Sequence, residues 1–113
     1  MNIESYSFGK ITINGKLYQS DVILYHDKVV SSWNRKESHL LQIEDIKDLI
    51  NDEIDVLIVG TGFSGMMKVP NETKEYLFEN GIEIIDEPTD KAVHLYNRSQ
   101  GDEKLVAIFH LTC

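Results

Sequence analysis

The sequence predicts a layered α/β fold in a single domain that covers residues 1–113. Three observations indicate this class. Short alternating runs separated by turn residues occupy the first third of the chain, as in β-hairpins. Segments with helical spacing then alternate with apolar runs, as in β-α-β units with parallel strands. A length of 113 residues with a hydrophobic fraction of 42% suits one domain with a substantial core.

Two hairpins are expected in the first third of the chain. Asn14-Gly15 separates the apolar runs at 10–13 and 17–19, and both turn residues tolerate the positive φ that a tight hairpin requires. Residues 22–25 and 29–33 form a second pair of strands around a polar turn. These hairpins either extend the main sheet or form a small second sheet.

Helices and buried strands alternate in the rest of the chain. Residues 43–50 place Ile and Leu at helical spacing, which predicts the first helix. Residues 55–59 are apolar without alternation, which is typical of a strand buried on both faces. Pro70 is placed to open a second helix, and Asn80-Gly81 is placed to end it in a left-handed conformation.

A third strand, helix and final strand complete the predicted order. Residues 82–85 form the next strand, and Thr89 is expected to cap a helix that ends at Gly101. Residues 105–111 are the most continuously apolar strand of the chain. We therefore expect this last strand in the centre of the sheet.

Composition and charge exclude several classes of function. Eleven basic and nineteen acidic residues give a formal net charge of −8, which phosphate backbones repel, so nucleic acid is not an expected partner. No apolar stretch approaches the roughly 20 residues of a membrane helix, and the first residues show no signal-peptide pattern. Cys113 is the one cysteine and cannot form an intrachain disulfide. These features predict a cytoplasmic protein that does not enter membranes.

Residues Gly60-Thr61-Gly62-Phe63-Ser64-Gly65, which we call the glycine loop, follow a predicted buried strand. The acidic pair Asp86-Glu87 closes the next strand, and the outline imitates a dinucleotide-binding fingerprint. In that fingerprint the helix begins within the glycine motif, whereas here Pro70 delays the helix by about one turn. No nicotinamide, flavin or other cofactor is therefore expected.

Two interpretations of the glycine loop remain open. It is a structural turn through which the chain leaves the strand, or its exposed amides bind a small anionic ligand. In the second case Arg35 or Lys68 would supply the counter-charge. The ligand-binding candidates are then Gly60, Thr61, Gly62 and Ser64.

No catalytic constellation is visible, and the sequence favours a protein that is not an enzyme. Ser64 does not fit a nucleophile elbow, because Met66 stands where that motif needs glycine. His110 and Cys113 are three positions apart on a predicted strand, so their side chains would point to opposite faces. The four histidines and one cysteine show no metal-ligand spacing, and no metal site is predicted.

A protein-contact surface is the favoured alternative to catalysis. Trp33 ends a predicted strand and suits an interface anchor as well as a core edge. Phe63 lies in the glycine loop, and two adjacent methionines follow it. Such methionines suit an adaptable contact surface, although they also fill cores. The candidate interaction surface comprises Trp33, Phe63, Met66 and Met67.

Several segments together resemble a known family of small domains of unknown function, nearly from end to end. The resemblance rests on their order and spacing, and Phe109-His110-Leu111-Thr112-Cys113 is the most distinctive of them. The family is found in archaea, bacteria and eukaryotes. It includes a mitochondrial assembly factor for respiratory complex I and an adipogenesis-associated cytoplasmic protein, whose branch is the most similar. The other segments are residues 7–9, 15, 18–22, 33, 59–62, 69–70, 75–77, 81–82 and 89–97.

The resemblance implies a three-layer α/β fold, with a central mixed β-sheet flanked by helices and a small additional antiparallel sheet. It implies no established enzyme activity, cofactor or catalytic residue. In many bacterial members charged residues follow the second glycine, where this sequence has Phe63 and Ser64, so their ligand preference is not expected to carry over. Complex I assembly is not expected either, because that role involves partners and a targeting segment that this sequence does not show. The expected function is that of a cytoplasmic interaction or assembly-type domain, with partner and oligomeric state unknown.

Overall fold

The computed structural model describes residues 1–25, 27–50, 54–99 and 104–113. The small sheet consists of β1 (Ile3–Ser7), β2 (Lys10–Ile13) and β3 (Lys16–Tyr18). The main sheet consists of β4 (Val22–Leu24), β5 (Val29–Val30), β6 (Val56–Gly60), β7 (Glu83–Glu87) and β8 (Leu105–Phe109). The helices are α1 (Ile43–Ile46), α2 (Asn71–Glu79) and α3 (Thr89–Arg98). Gly101, which was expected to end the third helix, lies outside the described residues.

The main sheet is mixed, in the order β5-β4-β8-β6-β7. β6 runs parallel to both β7 and β8, while β4 runs antiparallel to β8 and β5. The last strand in sequence, β8, is thus the middle strand, as its apolar composition predicted. All five of its residues are buried, because β8 has a strand on each side and a packed layer on each face.

The early hairpins divide between the two sheets. Asn14 and Gly15 adopt φ values of 50° and 80° between β2 and β3, which confirms the predicted tight turn. β1, β2 and β3 form a separate antiparallel sheet, whereas the second hairpin joins the edge of the main sheet. The α/β fold with a central mixed sheet and a small antiparallel sheet is therefore confirmed.

Two hydrophobic clusters hold the layers together. On one face of the main sheet, Phe109 packs with Ala92 and Tyr96 of α3 and with Ile11 of the small sheet. The other face forms a second cluster with α1, α2 and the chain around them, with Leu41, Ile46, Leu57, Met67 and Leu77 among its fully buried members. Burial of apolar side chains on both faces explains why β6 and β8 show no alternation.

The helix boundaries depart from the expectations in two places. The predicted helix at 43–50 is shorter, because a 3₁₀ turn over Lys47–Leu49 follows α1. α2 begins directly after Pro70 and Gly81 follows it with a φ of 75°, as predicted. The expectation that Thr89 caps the third helix is wrong. Pro88 is the N-cap, and Thr89 is the first helical residue, with its hydroxyl committed to other segments.

Candidate functional site

The glycine loop closes onto the chain that follows β8. Gly62 has a φ of +114°, and a Cβ atom there would lie 2.5 Å from the carbonyl oxygen of Thr112 and from the carbonyl carbon of Cys113. The amide of Phe63 donates to the carbonyl oxygen of Thr112 at 3.2 Å, and the amide of Met66 donates to that of Cys113 at 2.9 Å. Only glycine at position 62 allows this close approach of two backbone segments.

Most amides of the glycine loop are bound to the protein itself. Thr61 donates to the carbonyl oxygen of Glu87 at 2.9 Å, Gly62 to the hydroxyl of Thr89 at 2.9 Å, and Gly65 to the carbonyl oxygen of Gly62 at 3.2 Å. Among residues 61–65, the amide of Ser64 is the one that donates no hydrogen bond to another described residue. These bonds leave the loop little capacity to hold an anion through its backbone, which counts against the amide version of the ligand hypothesis.

Two of the four ligand-binding candidates lie together at an open cleft of about 350 Å³, which we call the Thr61 cleft. Gly60 and Gly62 do not line it. The cleft lies where the parallel strands β6 and β7 end, the edge at which α/β folds commonly bind ligands. Its lining residues are Thr61, Ser64, Gly65, Met67, Lys68, Val69, Lys74, Asp86, Glu87 and Pro88.

Charges of both signs line the Thr61 cleft. Lys74 Nζ lies 3.7 Å from Asp86 Oδ2, and Glu87 Oε2 lies 3.0 Å from Lys91 Nζ. Lys68 has no carboxylate oxygen within 4.0 Å among the residues that the structure describes. The cleft is thus lined by Lys68, which has no close carboxylate in the described ranges, and by two half-buried carboxylates, Asp86 and Glu87, which each have a lysine partner.

Phe63 and Met66 are exposed apolar residues, and the ring of Phe63 contacts a residue that was not among the candidates for an interaction surface. Phe8, in the turn after β1, places its ring centroid 5.7 Å from that of Phe63 in an edge-to-face contact. The exposed fractions of Phe8, Phe63 and Met66 are 55%, 54% and 49%. We call these three residues the aromatic patch.

The structure corrects two expectations about these surfaces. Met67 is only 2% exposed, because its side chain packs in the cluster below the main sheet, so it does not belong to an interaction surface. Arg35 was a candidate counter-charge for the glycine loop, but its side chain is 3% exposed and pairs with Asp21. Trp33 is half-buried, and the Arg35 guanidinium carbon lies over its ring, 4.9 Å from the ring centroid.

A buried polar cluster, comprising Asp21, Arg35 and His110, was missed in the sequence. Asp21 Oδ2 lies 2.7 Å from Arg35 Nη1 and 2.8 Å from His110 Nδ1. Asp21 Oδ1 accepts a hydrogen bond from the amide of Leu111 at 2.8 Å, and Arg35 donates to the carbonyl oxygen of Ser38. The only available signal was that Asp21 and His110 fall within segments that carry the family resemblance.

The electrostatics of this polar cluster favour an ionised Asp21. Burial alone would raise the pKa of Asp21, but hydrogen bonds from His110, the Leu111 amide and Arg35 together hold it below its ordinary value. His110 Nδ1 lies 2.8 Å from Asp21 Oδ2 and 3.0 Å from Arg35 Nη2, and His110 Nε2 is buried with no hydrogen-bond partner in the described structure. The cluster ties the segment after β5 to the end of β8, which is a structural role.

Two kinds of feature are absent from residues 1–25, 27–50, 54–99 and 104–113. No group of three or more His, Cys, Asp or Glu side chains in those ranges is arranged to hold a metal ion. No helix there has both the length and the apolar character needed to cross a membrane. Cys113 is exposed and free, whereas His110 is buried in the polar cluster.

Comparison with known proteins identifies the family. The conserved hypothetical protein PH1505 from Pyrococcus horikoshii OT3 is 30% identical, with 100% of both chains covered and a TM-score of 0.84. A protein named MT938 is 26% identical over 99% of this chain and 98% of its own, with a TM-score of 0.75. A Mth938-like domain from Bordetella pertussis shares the fold at 17% identity, over 97% and 85% of the two chains, with a TM-score of 0.76. The profile of the family described as "Protein of unknown function (DUF498/DUF598)" matches residues 3–110, and the chain belongs to this family.

Proposed function

We propose that the chain is a non-enzymatic, cytoplasmic protein-interaction domain that contacts its partner through the aromatic patch. The observation that carries the proposal is the contact between Phe8 and Phe63, two half-exposed rings from distant segments. Exposed apolar side chains that cluster, rather than lie singly, mark interaction surfaces. Aromatic residues, Phe included, and Met are also enriched in protein–protein interfaces relative to the rest of the surface.

The backbone beneath the aromatic patch supports this function. Phe63 and Met66 lie on a loop whose amides bind consecutive carbonyl oxygens of Thr112 and Cys113. A contact surface on a loop held in this way loses little conformational entropy on binding. The resemblance to the branch that includes the adipogenesis-associated cytoplasmic protein, which brings no established enzyme activity, also favours an interaction role.

The charge of the chain restricts the chemistry of the partner. At a net charge of −8, a strongly acidic partner would be repelled. The partner we propose is a protein with an apolar contact surface surrounded by neutral or basic groups. Association should therefore weaken as ionic strength rises, although the apolar contact itself should persist.

The test is a capture experiment from native lysate with three forms of the full chain. A double variant, Phe63→Ser with Met66→Ser, removes two members of the aromatic patch. Phe78→Ser is the matched control, because Phe78 is 82% exposed in the last turn of α2, outside the aromatic patch. We expect wild type and Phe78→Ser to retain the same specific protein and the double variant to lose it.

Two outcomes would contradict the proposal. Retention of the same partner by the double variant would show that the aromatic patch is not the contact surface. Equal loss with Phe78→Ser would indicate non-specific hydrophobic capture. Sedimentation of the purified chain distinguishes self-association from binding to a different protein, because a larger species in the absence of lysate can only be an oligomer of this chain.

The Thr61 cleft favours a second candidate function, the binding of a small ligand. The cleft brings together Thr61, Ser64 and Lys68, three residues that the sequence associated with ligand binding. Any ligand held there would contact side chains more than loop amides, since those amides are bound to the protein. A thermal-shift screen of nucleotides, phosphates and carboxylates tests this candidate, because a ligand at 100 times its Kd stabilises by about 2.7 kcal/mol.

A further inference from the structure

We propose that the Thr61 cleft binds a small zwitterion, a molecule with one carboxylate and one ammonium group, of the amino-acid class. This inference rests on the second candidate function above and names its ligand class. The assignment rests on the position of the cleft, the Thr61 hydroxyl without a protein partner in the described ranges, charges of both signs and the size of the cleft.

The hydroxyl of Thr61 is the first element of the site. Thr61 is 6% exposed and lines the cleft, where its Oγ1 would lie 3.6 Å from a Cβ atom placed on Gly65. In the part of the chain that the structure describes, this hydroxyl makes no hydrogen bond. By contrast, the buried hydroxyls of Thr73 and Thr89 each donate to a backbone carbonyl oxygen. The Thr61 oxygen retains access to solvent, so the hydroxyl can donate a hydrogen bond to a ligand in the cleft.

The charges define what such a ligand must carry. Lys68 supplies a cation at the cleft. Ser64 is exposed and also lines the cleft, and its hydroxyl is a hydrogen-bond donor. Together with the hydroxyl of Thr61, these two side chains suit a ligand carboxylate. Asp86 and Glu87 line the cleft where β7 ends and suit an ammonium group. A polyphosphate would be repelled by these carboxylates, and a singly charged anion would not use Asp86, whose pair with Lys74 is long at 3.7 Å.

The pair between Lys74 and Asp86 is loose enough to be remodelled by a ligand. Its atoms are 3.7 Å apart, and the two side chains are 43% and 35% exposed. Exposed pairs of this kind are worth little, so replacing Lys74 by a ligand ammonium group costs little. The volume of about 350 Å³ lies at the lower end of the range for ligand pockets, which favours a molecule of few heavy atoms.

The experiment uses the full chain labelled with ¹⁵N and titrated with each common L-amino acid. Each amino acid is compared with its decarboxylated amine and its deaminated acid, which carry only one of the two charges. We expect saturable shifts of the amides of Thr61, Ser64 and Lys68 with one or more amino acids, and at least tenfold weaker binding of both singly charged analogues.

Variants locate the site. We expect Thr61→Val, Lys68→Met and Asp86→Asn each to weaken binding about tenfold or more, while Thr61→Ser retains it. Lys10→Met, which removes an exposed lysine of β2 outside the cleft, should leave affinity unchanged. Unaltered affinity in the first three variants would overturn the assignment to this cleft.

The outcomes distinguish the inference from the function on which it rests. Binding of a deaminated acid as tightly as its parent amino acid would overturn the zwitterion assignment and leave ligand binding at the cleft intact. Absence of shifts with every amino acid, together with a flat thermal-shift screen, would overturn both.

Discussion

The hydroxyl of Thr89 donates a hydrogen bond to the carbonyl oxygen of His110 over 2.6 Å and accepts one from the amide of Gly62 over 2.9 Å. One side chain at the start of α3 thereby joins the glycine loop to the chain after β8. Thr89→Val keeps the shape and removes both bonds, leaving a buried carbonyl and a buried amide unpaired. We expect a loss of about 2–4 kcal/mol in the free energy of unfolding, measured by urea denaturation.

The other buried threonines provide the matched controls. Thr73→Val removes a single bond, to the carbonyl oxygen of Leu41 at 2.9 Å, and should cost about 1–2 kcal/mol. Thr61→Val removes no bond within the described protein and should change stability by less than about 0.5 kcal/mol. Equal losses in all three variants would contradict this assignment of hydrogen bonds.

Gly62→Ala should be among the most destabilising single-methyl substitutions in the chain. Its Cβ would lie 2.5 Å from backbone atoms of Thr112 and Cys113, and its φ of +114° disfavours any side chain. We expect a loss of about 3 kcal/mol or more from overpacking and strain. Gly15→Ala has a φ of +80° but open space around its Cβ, so about 1 kcal/mol is expected. Similar losses at both positions would mean that the contact with the chain end is not formed.

Asp21→Asn should destabilise the protein and flatten its acid unfolding profile. The substitution leaves the Arg35 guanidinium buried without its carboxylate, which costs about 3 kcal/mol. In the wild type the pKa of Asp21 is lowered in the folded state, so its contribution to stability is present above the ordinary value of 3.8 and is lost as pH falls below it. Urea midpoints measured across acidic pH check both effects, and an unchanged acid profile would contradict them.

Tyr6 should contribute to alkaline unfolding. Burial is the main reason that the pKa of Tyr6 is raised from 10.0 to about 12, and its hydroxyl donates to the carbonyl oxygen of Leu111 at 2.8 Å. The unfolded state releases this proton first, so the stabilisation holds below pH 10 and is lost as pH rises towards 12. Tyr6→Phe should be less stable at neutral pH and should lose less stability across this alkaline range. Tyrosinate absorbance and circular dichroism follow the two processes.

Truncation to alanine should destabilise the protein at Met67 but hardly at Met66. Met67→Ala leaves a cavity beneath the main sheet and should cost about 2–5 kcal/mol. Met66→Ala alters a side chain that is 49% exposed and should change stability by less than about 0.5 kcal/mol. Thermal denaturation of the two variants compares them directly, and a reversed order would contradict the orientation of the loop.

The order of elements was predictable because local signals and tertiary structure agree. Pro70 and Gly81 bound α2 as their backbone preferences require, and the continuous apolar run at 105–109 lies in the centre of the sheet. Thr89 shows where such signals fail. Its residue type suits a cap, but Gly62 and His110 offer its hydroxyl tertiary partners that no local rule contains.

The candidate site was predictable only in outline. Thr61 and Ser64 lie at the expected sheet edge, but two adjacent methionines look equivalent in a sequence, and only the fold buries one of them. The contact of Asp21 with His110 joins residues 89 positions apart, and no periodicity or spacing rule reaches that far. Long-range polar contacts of this kind require the assembled structure.

The central position of β8 has a consequence for how the chain reaches its native state. β4 and β6 are both paired to the strand that comes last in sequence, so neither can complete its ladder until residues 105–109 arrive. Contacts of such long sequence separation make folding slow relative to helical proteins of this size. Until the last strand inserts, two apolar strand edges stay open to other chains, and aggregation competes with folding at that step.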